Sequence, residues 1–281
     1  MLIHDPSFLP VAQMLREAGQ TITEPIRRRG AFDTKLKSDN SLVTIADTRA
    51  QAFLTRSLAA YWPGAKLLGE ESFDDRKRWQ DSPLLHDQGD VYVNDPIDGT
   101  RRFARGDDYG MMMAHKRGGV TRSAWVYYPV TDTMLFASQH DRTQHISWAA
   151  DGTMRARAVS VPKVPVAEIT LRVTSRTWPE PTSLGPYAAL QSAFASVQRC
   201  ESVATDLRDI LATGRVAQFM DYNTPWDRTP VAFLAERAGA PPVVDFNGKP
   251  ATDQSSNFII APTRPVMAAI LGVTAPMLVG E

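Results

Sequence analysis

The spacing of apolar residues predicts two helices near the start of the chain. Over residues 9–29, apolar side chains recur mostly at steps of three and four, as on one face of a helix. This segment contains Pro25, which can bend the helix, and ends in three arginines before Gly30. A second helix is predicted from Ile45 to the Trp62-Pro63-Gly64 sequence. We therefore expect a helical layer at the beginning of the fold.

Short apolar segments with strand character follow the second predicted helix. Residues 66–69 and 91–93 are largely apolar and lead into acidic residues, as buried strands that end at a functional site would. Four further β-rich segments, separated by turns, predict an antiparallel meander; they are Met111–His115, Ala124–Tyr128, Met134–Ala137 and His145–Trp148.

A Pro-rich stretch, Trp178–Pro186, is the best candidate for a long loop. We expect a β-rich first part, residues 1–150, and an alternating second part, residues 151–281. After the loop the pattern predicts helices at 187–196, 204–213 and 227–238, and strands at 197–199, 216–220, 243–246 and 257–260. This alternation indicates an α/β layer, and we expect both parts to form one compact unit.

Composition narrows the protein class. Hydrophobic residues at 43% and charged residues at 22% are near the averages of globular proteins, which excludes disordered and collagen-like chains. Lys and Arg number 31, as do Asp and Glu, whereas a general binder of nucleic acids or anionic membranes carries a basic excess. We therefore expect neither a nucleic-acid polymer nor a membrane as a partner. The absence of a leader pattern and of a long apolar run predicts a cytoplasmic protein.

The single cysteine, Cys200, excludes an internal disulfide framework and a zinc site built from several cysteines. We interpret it as a small buried hydrophobic residue.

The strongest candidate for chemistry is the segment Asn94–Thr100, directly after an apolar strand. Its carboxylates, Asp95 and Asp98, lie three residues apart with a proline between them and a glycine behind. Burying two like charges this close together is costly unless a cation compensates them. Oxygen ligands favour a hard ion such as Mg²⁺ over zinc, and the amides of Gly99 and Thr100 could bind a phosphate. A plain surface turn is the alternative explanation.

Two further acidic positions change the balance between these explanations. Glu70 and Glu71 end the preceding predicted strand, and if buried they would again require a cation. Asp227 lies at a predicted helix start, where an N-cap role is the competing explanation. Each position alone is more often structural than catalytic, but the three together favour a metal site.

These motifs resemble the signature motifs of the inositol monophosphatase family, within the Mg²⁺-dependent, lithium-sensitive phosphatase superfamily. The matching segments are Gly69-Glu70-Glu71, Asp95-Pro96-Ile97-Asp98-Gly99-Thr100 and Trp226-Asp227. The resemblance extends to Lys37-Ser38-Asp39, Val43-Thr44, Asp47 and Ala238-Gly239-Ala240, and so covers the chain from about residue 10 to residue 260.

The resemblance implies a fold and a set of metal ligands. The fold is a layered αβαβα sandwich of the inositol monophosphatase and fructose-1,6-bisphosphatase type, which combines α+β and α/β layers and usually forms a homodimer. Glu70, Asp95 and the carbonyl of Ile97 would hold one Mg²⁺. Asp95, Asp98 and Asp227 would hold a second ion, and Glu70 would contribute to a weaker third.

The resemblance also implies catalytic and substrate-binding roles. Thr100, partnered by Asp47, would position or deprotonate a metal-bound water with help from Glu70. The amides of Gly99 and Thr100 would contact the phosphoryl oxygens. Asp221 is a plausible acceptor for sugar hydroxyls, and it could equally be a loop residue. The Ser202–Asp206 segment lies near the position where the family contacts its polyol.

The implied function is Mg²⁺-dependent hydrolysis of a small phosphate monoester by metal-activated water, with inositol monophosphate as the first candidate substrate. The alternatives are 3′-phosphoadenosine 5′-phosphate, fructose 1,6-bisphosphate and histidinol phosphate. A catalytically silent phosphate-binding protein on the same scaffold is a further hypothesis.

Two stretches depart from the family pattern. Arg101, Arg102 and Arg105 follow the second motif and form either a solvated helix face or a contact to a second phosphate. The third motif continues with Arg228-Thr229-Pro230 where small residues are usual. We expect Pro230 to lie in the first turn of its helix, where proline is tolerated.

Overall fold

The computed structural model describes residues 3–174, 188–222 and 224–278. The α-helices of this part of the chain are α1 (Phe8–Ala18), α2 (Glu24–Arg29), α3 (Ile45–Tyr61), α4 (Thr100–Ala104), α5 (Ala188–Ala193), α6 (Val203–Thr213), α7 (Pro225–Arg237) and α8 (Arg264–Leu278). The strands are β1 (Lys35–Leu36), β2 (Leu42–Val43), β3 (Lys66–Gly69), β4 (Asp90–Asp98), β5 (Gly110–Arg117), β6 (Val120–Tyr128), β7 (Thr133–Ser138), β8 (Gln144–Trp148), β9 (Met154–Ala158), β10 (Thr170–Thr174), β11 (Ser196–Arg199), β12 (Val216–Met220) and β13 (Phe258–Ile260). The predicted loop at Trp178–Pro186 lies outside the described residues.

The first helical segment is interrupted by a π-helical turn, Gly19–Thr23, between α1 and α2. Gly19 packs against an aromatic ring, because a Cβ there would lie 2.5 Å from Cε1 of Tyr127. Thr23 and Glu24 keep helical dihedrals, so the missing N–H of Pro25 falls inside a continuous helical segment. The irregularity is the π turn that ends two residues before Pro25.

A large sheet contains strands β3 to β9 in chain order. Strands β3 and β4 are parallel, and every later neighbouring pair is antiparallel. The predicted meander is thus confirmed. The sheet also continues past residue 150, since β9 pairs with β8. The apolar pattern missed β9 because its residues are mostly exposed and include two arginines.

A smaller sheet has the strand order β11-β10-β12-β13. Strand β10 is parallel to both β11 and β12, whereas β13 is antiparallel to β12. The predicted alternation is confirmed around α6, β12 and α7, but β10 and α8 were not predicted. The strand predicted at 243–246 is wrong: Val244 makes isolated bridges only, and a tight turn follows in which Gly248 donates to Asp245.

Apolar clusters define five layers. One face of the large sheet packs on α1 and α3, with Leu15 and Leu54 buried against it. Its other face shares a cluster with α6, α7 and the smaller sheet, which includes Leu207 and Val231. The far face of the smaller sheet packs on α5 and α8, where Ile270 is buried. The order helix, sheet, helix, sheet, helix is the layered sandwich that the resemblance implies.

No helix within residues 3–174, 188–222 and 224–278 has the length and apolar character needed to cross a bilayer.

Candidate metal and phosphate site

A cleft of about 580 Å³ lies where the end of β4 meets the first turns of α4 and α7. It contains the residues that the sequence assigns to metal ligation and phosphate contact. These cleft residues are Glu70, Asp95, Ile97, Asp98, Gly99, Thr100 and Asp227. The folded chain therefore brings the three motifs to one place.

A β-bulge turns two acidic residues of β4 towards the cleft. Residues three apart on a regular strand point to opposite faces of the sheet, so Asp95 and Asp98 would diverge there. The pairing of β4 with β5 shifts between these two residues, and Pro96 lies within the irregularity, where a ladder hydrogen bond is not required. Asp95 is 2% exposed and Asp98 is 6% exposed. Both carboxylates are therefore buried at the same site.

Asp227 reaches the site from the third position of α7. The N-cap of this helix is Thr224, whose Oγ1 accepts the Asp227 N–H at 3.4 Å and donates to Asp227 Oδ2 at 2.7 Å. The N-cap explanation for Asp227 is therefore wrong, since Thr224 has that role.

Pro230 does not lie in the first turn of its helix, as the sequence predicts, but inside the helix, because α7 begins at Pro225. The carbonyl of Trp226 consequently has no N–H at position 230 to bind.

The three aspartates form a cluster that fits a divalent cation. One carboxylate oxygen from each of Asp95, Asp98 and Asp227 lies within 4.8 Å of the others, and all three residues are buried. Burial, and then the charge of Asp227, raises the pKa of Asp98 to about 7. Like charges held this close are stabilised by a metal ion, and an all-oxygen donor set suits a hard cation.

The N-terminus of α6 binds the carboxylate of Asp98. Ser202 donates its hydroxyl to Asp98 Oδ2, and the N–H of Ala204 donates to the same oxygen at 2.8 Å. The N–H of Val203 lies 3.3 Å from Oδ1. The resemblance places this segment near the polyol of the substrate, and the structure adds that it binds a candidate metal ligand. The sequence signal that could have predicted this contact is Ser202, which precedes a predicted helix and is a typical N-cap residue.

Lys37 supplies a positive charge beside the paired glutamates. Its Nζ lies 2.8 Å from Glu71 Oε2 and 3.6 Å from Glu70 Oε1, and the three side chains are 5%, 7% and 3% exposed. Burial, and then the Glu70 charge, raises the pKa of Glu71 to about 8. Lys37 therefore supplies part of the positive charge that the adjacent glutamates require. The sequence analysis names Lys37 only within the Lys37-Ser38-Asp39 segment and predicts no contact between Lys37 and the glutamates.

Thr100 and Asp47 lie together although 53 positions separate them. Thr100 Oγ1 is 3.3 Å from Asp47 Oδ1 and 3.1 Å from the carbonyl oxygen of Ile97. Asp47 Oδ2 accepts the N–H of Thr44 at 2.8 Å and its hydroxyl at 2.5 Å, within the capping box of α3. Burial is the main cause that raises the pKa of Asp47 to about 7. Helix capping thus orients the carboxylate that faces Thr100.

Gly99 is required by conformation and by space. Its φ of 87° lies in the left-handed region that favours glycine. A Cβ at this position would lie 2.9 Å from the Cβ of Ser202, so the turn and the start of α6 approach each other closely.

The outer part of the cleft is basic and exposed. Arg101, Arg105 and Arg199 line it together with Glu201. Tyr222 also lines the cleft, whereas its neighbour Asp221 is half-buried and is not among the lining residues. The geometry thus brings the arginines to the cleft lining, and Asp221 is the chain neighbour of the lining residue Tyr222.

Cys200 lies in the cleft wall as a buried free thiol, in agreement with its interpretation as a small buried residue. Burial raises its pKa well above the ordinary value, so the reactive thiolate is disfavoured.

Comparison with known proteins agrees with this geometry. The sequence model that describes the inositol monophosphatase family matches residues 7–275 of this chain. The chain is 26% identical over 263 residues to Nus factor SuhB of Vibrio cholerae, with 91% of each chain covered. It is 24% identical over 253 residues to inositol-1-monophosphatase of Bacillus subtilis, with 88% of each chain covered. The solved structure of extragenic suppressor protein suhB from Bartonella henselae has a TM-score of 0.79 at 18% identity, over 96% of this chain and 98% of that one. The chain therefore belongs to the inositol monophosphatase family of phosphoric monoester hydrolases.

Proposed function

We propose that this protein hydrolyses a small phosphate monoester with Mg²⁺ as its cofactor, and that inositol monophosphate is its substrate. The observation that carries the proposal is the buried cluster of Asp95, Asp98 and Asp227 at the bottom of the cleft. The name of the Bacillus subtilis relative, inositol-1-monophosphatase, supports the choice of substrate.

We assign the metal ligands from the donor set. Glu70, Asp95 and the carbonyl of Ile97 would hold one Mg²⁺, and Asp95, Asp98 and Asp227 would hold a second, since all of these residues line the cleft. When bound, the ions supply charge neutralisation for the phosphate dianion and lower the pKa of a coordinated water.

Thr100 is the residue that we assign to orientation of the attacking water. A hydroxyl has one proton and two acceptor lone pairs, so Thr100 can donate to Asp47 and still accept a hydrogen bond from a water molecule. Asp47 is held in place by Thr44, and Asp47 and the Ile97 carbonyl are the two acceptors within reach of the single Thr100 hydroxyl proton.

The charges along the cleft suit an anionic substrate. Carboxylates occupy the buried bottom, where a cation would neutralise them, and exposed arginines occupy the outer part. The amides of Gly99 and Thr100 are at the start of α4 and would meet the phosphoryl oxygens. The assignment of Asp221 to sugar hydroxyls is kept as part of the proposal, with binding through its half-buried side chain next to Tyr222.

The proposal includes three further properties: the family resemblance implies the first, and the sequence pattern predicts the other two. We propose a homodimer, a cytoplasmic location, and one catalytic unit formed jointly by the two parts of the chain. Sedimentation velocity and cell fractionation test the first two. Separate expression of residues 1–150 and 151–281 tests the third, and we expect neither fragment to hydrolyse a phosphate ester.

The test is phosphate release with and without Mg²⁺ from inositol 1-phosphate, fructose 1,6-bisphosphate, 3′-phosphoadenosine 5′-phosphate and histidinol phosphate. We expect Mg²⁺-dependent hydrolysis, with inositol 1-phosphate turned over most efficiently. Asp98→Asn should abolish it, whereas Asp209→Asn, outside the cleft, should retain it. Hydrolysis that continues in Asp98→Asn would contradict the metal assignment, and a more efficient second substrate would replace inositol monophosphate.

Thermal melting shows whether the Asp98→Asn variant is folded. The substitution removes like-charge repulsion with Asp227, so its melting temperature in EDTA should equal or exceed that of the original chain. The rise in melting temperature on addition of Mg²⁺ should shrink. If the original chain gains stability from Mg²⁺ but hydrolyses none of the esters, the silent phosphate-binding hypothesis replaces the enzyme.

A further inference from the structure

Arg105 and Glu201 form an ion pair at the outer part of the cleft. Arg105 donates from Nη1 to Glu201 Oε1 at 3.1 Å and from Nη2 to Oε2 at 2.8 Å. Nη1 of Arg102 lies 3.5 Å from the same Oε2. Both Arg105 and Glu201 line the cleft. The proposed function uses the positive charge of the arginines but assigns no role to Glu201.

The pair lies beside the expected phosphate position. A Cβ on Gly99 would come within 3.4 Å of the Glu201 carbonyl oxygen, so Glu201 is directly next to the turn that precedes Thr100. Arg105 follows the last residue of α4, the short helix that begins at Thr100. Because Gly99, Thr100, Arg105 and Glu201 line one cleft, a second group of an ester whose phosphate contacts Gly99 and Thr100 can reach this ion pair.

The ion pair can exchange its carboxylate for another anion. The side chains of Arg105 and Glu201 are 50% and 36% exposed, and exposed pairs of this kind are weak. A guanidinium binds a phosphate or a carboxylate in the same forked geometry that Glu201 adopts here. Arg101 and Arg199 line the same cleft and add positive charge.

We propose that Arg105, with Arg101 and Arg199, forms a subsite for a second anionic group of the substrate, and that Glu201 occupies this subsite when no such group is bound. The inference rests on the proposed function and extends its substrate class. Small phosphate monoesters that carry a second phosphate or a carboxylate are accepted beside inositol monophosphate, and the second anion raises kcat/KM relative to the matched ester that lacks it. Glu201 is then a specificity-determining residue, because it competes with that second anion for Arg105.

Matched substrate pairs isolate the second anionic group. Fructose 1,6-bisphosphate and fructose 1-phosphate differ by one phosphate. Glycerate 2-phosphate and glycerol 2-phosphate differ by one carboxylate. The ratio of kcat/KM within each pair, with the released product identified, reports the contribution of the second anion and distinguishes the phosphate source from the carboxylate source.

Opposite changes in this ratio are expected for the two sides of the ion pair. Glu201→Gln removes the competitor and should raise the ratio about two- to fivefold, the strength of an exposed ion pair. Arg105→Met removes the anion contact and should lower the ratio about tenfold. Glu168→Gln and Arg215→Met are matched controls, because these residues form an ion pair of similar exposure away from the cleft. The controls should keep the original ratio.

The outcomes are distinguishable from failure of the proposed function. Equal ratios in the original chain, Glu201→Gln and Arg105→Met would overturn the subsite even if the enzyme is active. If the original chain hydrolyses no ester, the phosphatase proposal fails, and calorimetry with fructose 1,6-bisphosphate in Ca²⁺ tests the subsite alone. Weaker binding by Arg105→Met than by Arg215→Met would support it. Equal binding, or no binding by either variant, would overturn it.

Discussion

Ser202 donates its side-chain hydroxyl to Asp98 although 104 positions separate the two residues. The hydroxyl oxygen of Ser202 also accepts the N–H of Thr205 at 3.1 Å and so caps α6. A helix of the second part of the chain therefore holds a candidate metal ligand at the end of a strand in the first part. One hydroxyl group therefore contributes both to the stability of α6 and to the orientation of the carboxylate.

Ser202→Ala should lower the free energy of unfolding by about 1 kcal/mol, the usual cost of losing a helix N-cap. It should also weaken Mg²⁺-dependent hydrolysis, because Asp98 loses a donor that orients it. Urea denaturation followed by circular dichroism measures the first effect. Ser202→Thr keeps the hydroxyl and should recover most of the stability; an equal loss in both variants would contradict the capping role.

Gly99→Ala should destabilise the protein more than Gly106→Ala. Both glycines have positive φ values, 87° and 80°, so both substitutions cost backbone strain of about 1 kcal/mol or more. The added Cβ meets Ser202 at 2.9 Å only at Gly99, since nothing lies within 4 Å at Gly106. Urea denaturation of both variants separates strain from contact. Equal losses would show that the close approach to α6 has no energetic cost.

Thr100→Ala should slow turnover about a hundredfold, the usual contribution of a positioned proton-transfer group, with a smaller change in Mg²⁺ affinity. The reason is that Thr100 contacts Asp47 and the Ile97 carbonyl through its hydroxyl and supplies no carboxylate to the cluster. Single-turnover kinetics and Mg²⁺ titration measure the two effects. Thr100→Ser preserves the hydroxyl and should retain most activity. Comparable losses of turnover and Mg²⁺ affinity in Thr100→Ala would make its role structural.

The metal-free protein should lose stability as pH rises. Burial raises the pKa values of Asp98 and Asp47 from 3.8 to about 7, and that of Glu71 from 4.5 to about 8. The folded protein therefore holds these protons more tightly than the unfolded chain, and the resulting stability is complete below about pH 4 and lost through about pH 8.

Melting temperatures in EDTA between about pH 5.5 and about pH 8.5 check this prediction, since the three groups lose their protons within that interval. The melting temperature should fall across the interval, and Mg²⁺ at the upper pH should restore it because the cation replaces the protons at the carboxylates. A constant or rising melting temperature in EDTA would contradict the assignment of buried, close-packed carboxylates.

The elements that the sequence predicted well are those whose burial follows a regular period. The strands at 111–148 alternate between two packed layers, and α6 and β12 have compact apolar faces. The sequence did not predict β9, because β9 is an edge strand whose residues are mostly exposed and show no apolar period. Pro230 was misplaced because α7 starts two residues earlier than predicted, at Pro225.

The sequence by itself determined which residue types reach the site and which local turn presents them. The Asp-Pro-Ile-Asp-Gly-Thr segment supplies the proline that lies in the bulge and the glycine that adopts the left-handed conformation. Only the tertiary structure decided that Ser202 binds Asp98, that Lys37 binds Glu71, and that Arg105 pairs with Glu201. These partners come from separate elements, and the packing of the layers places them together. Local periodicity records which face of an element is buried, but it does not record which side chain of another layer lies opposite.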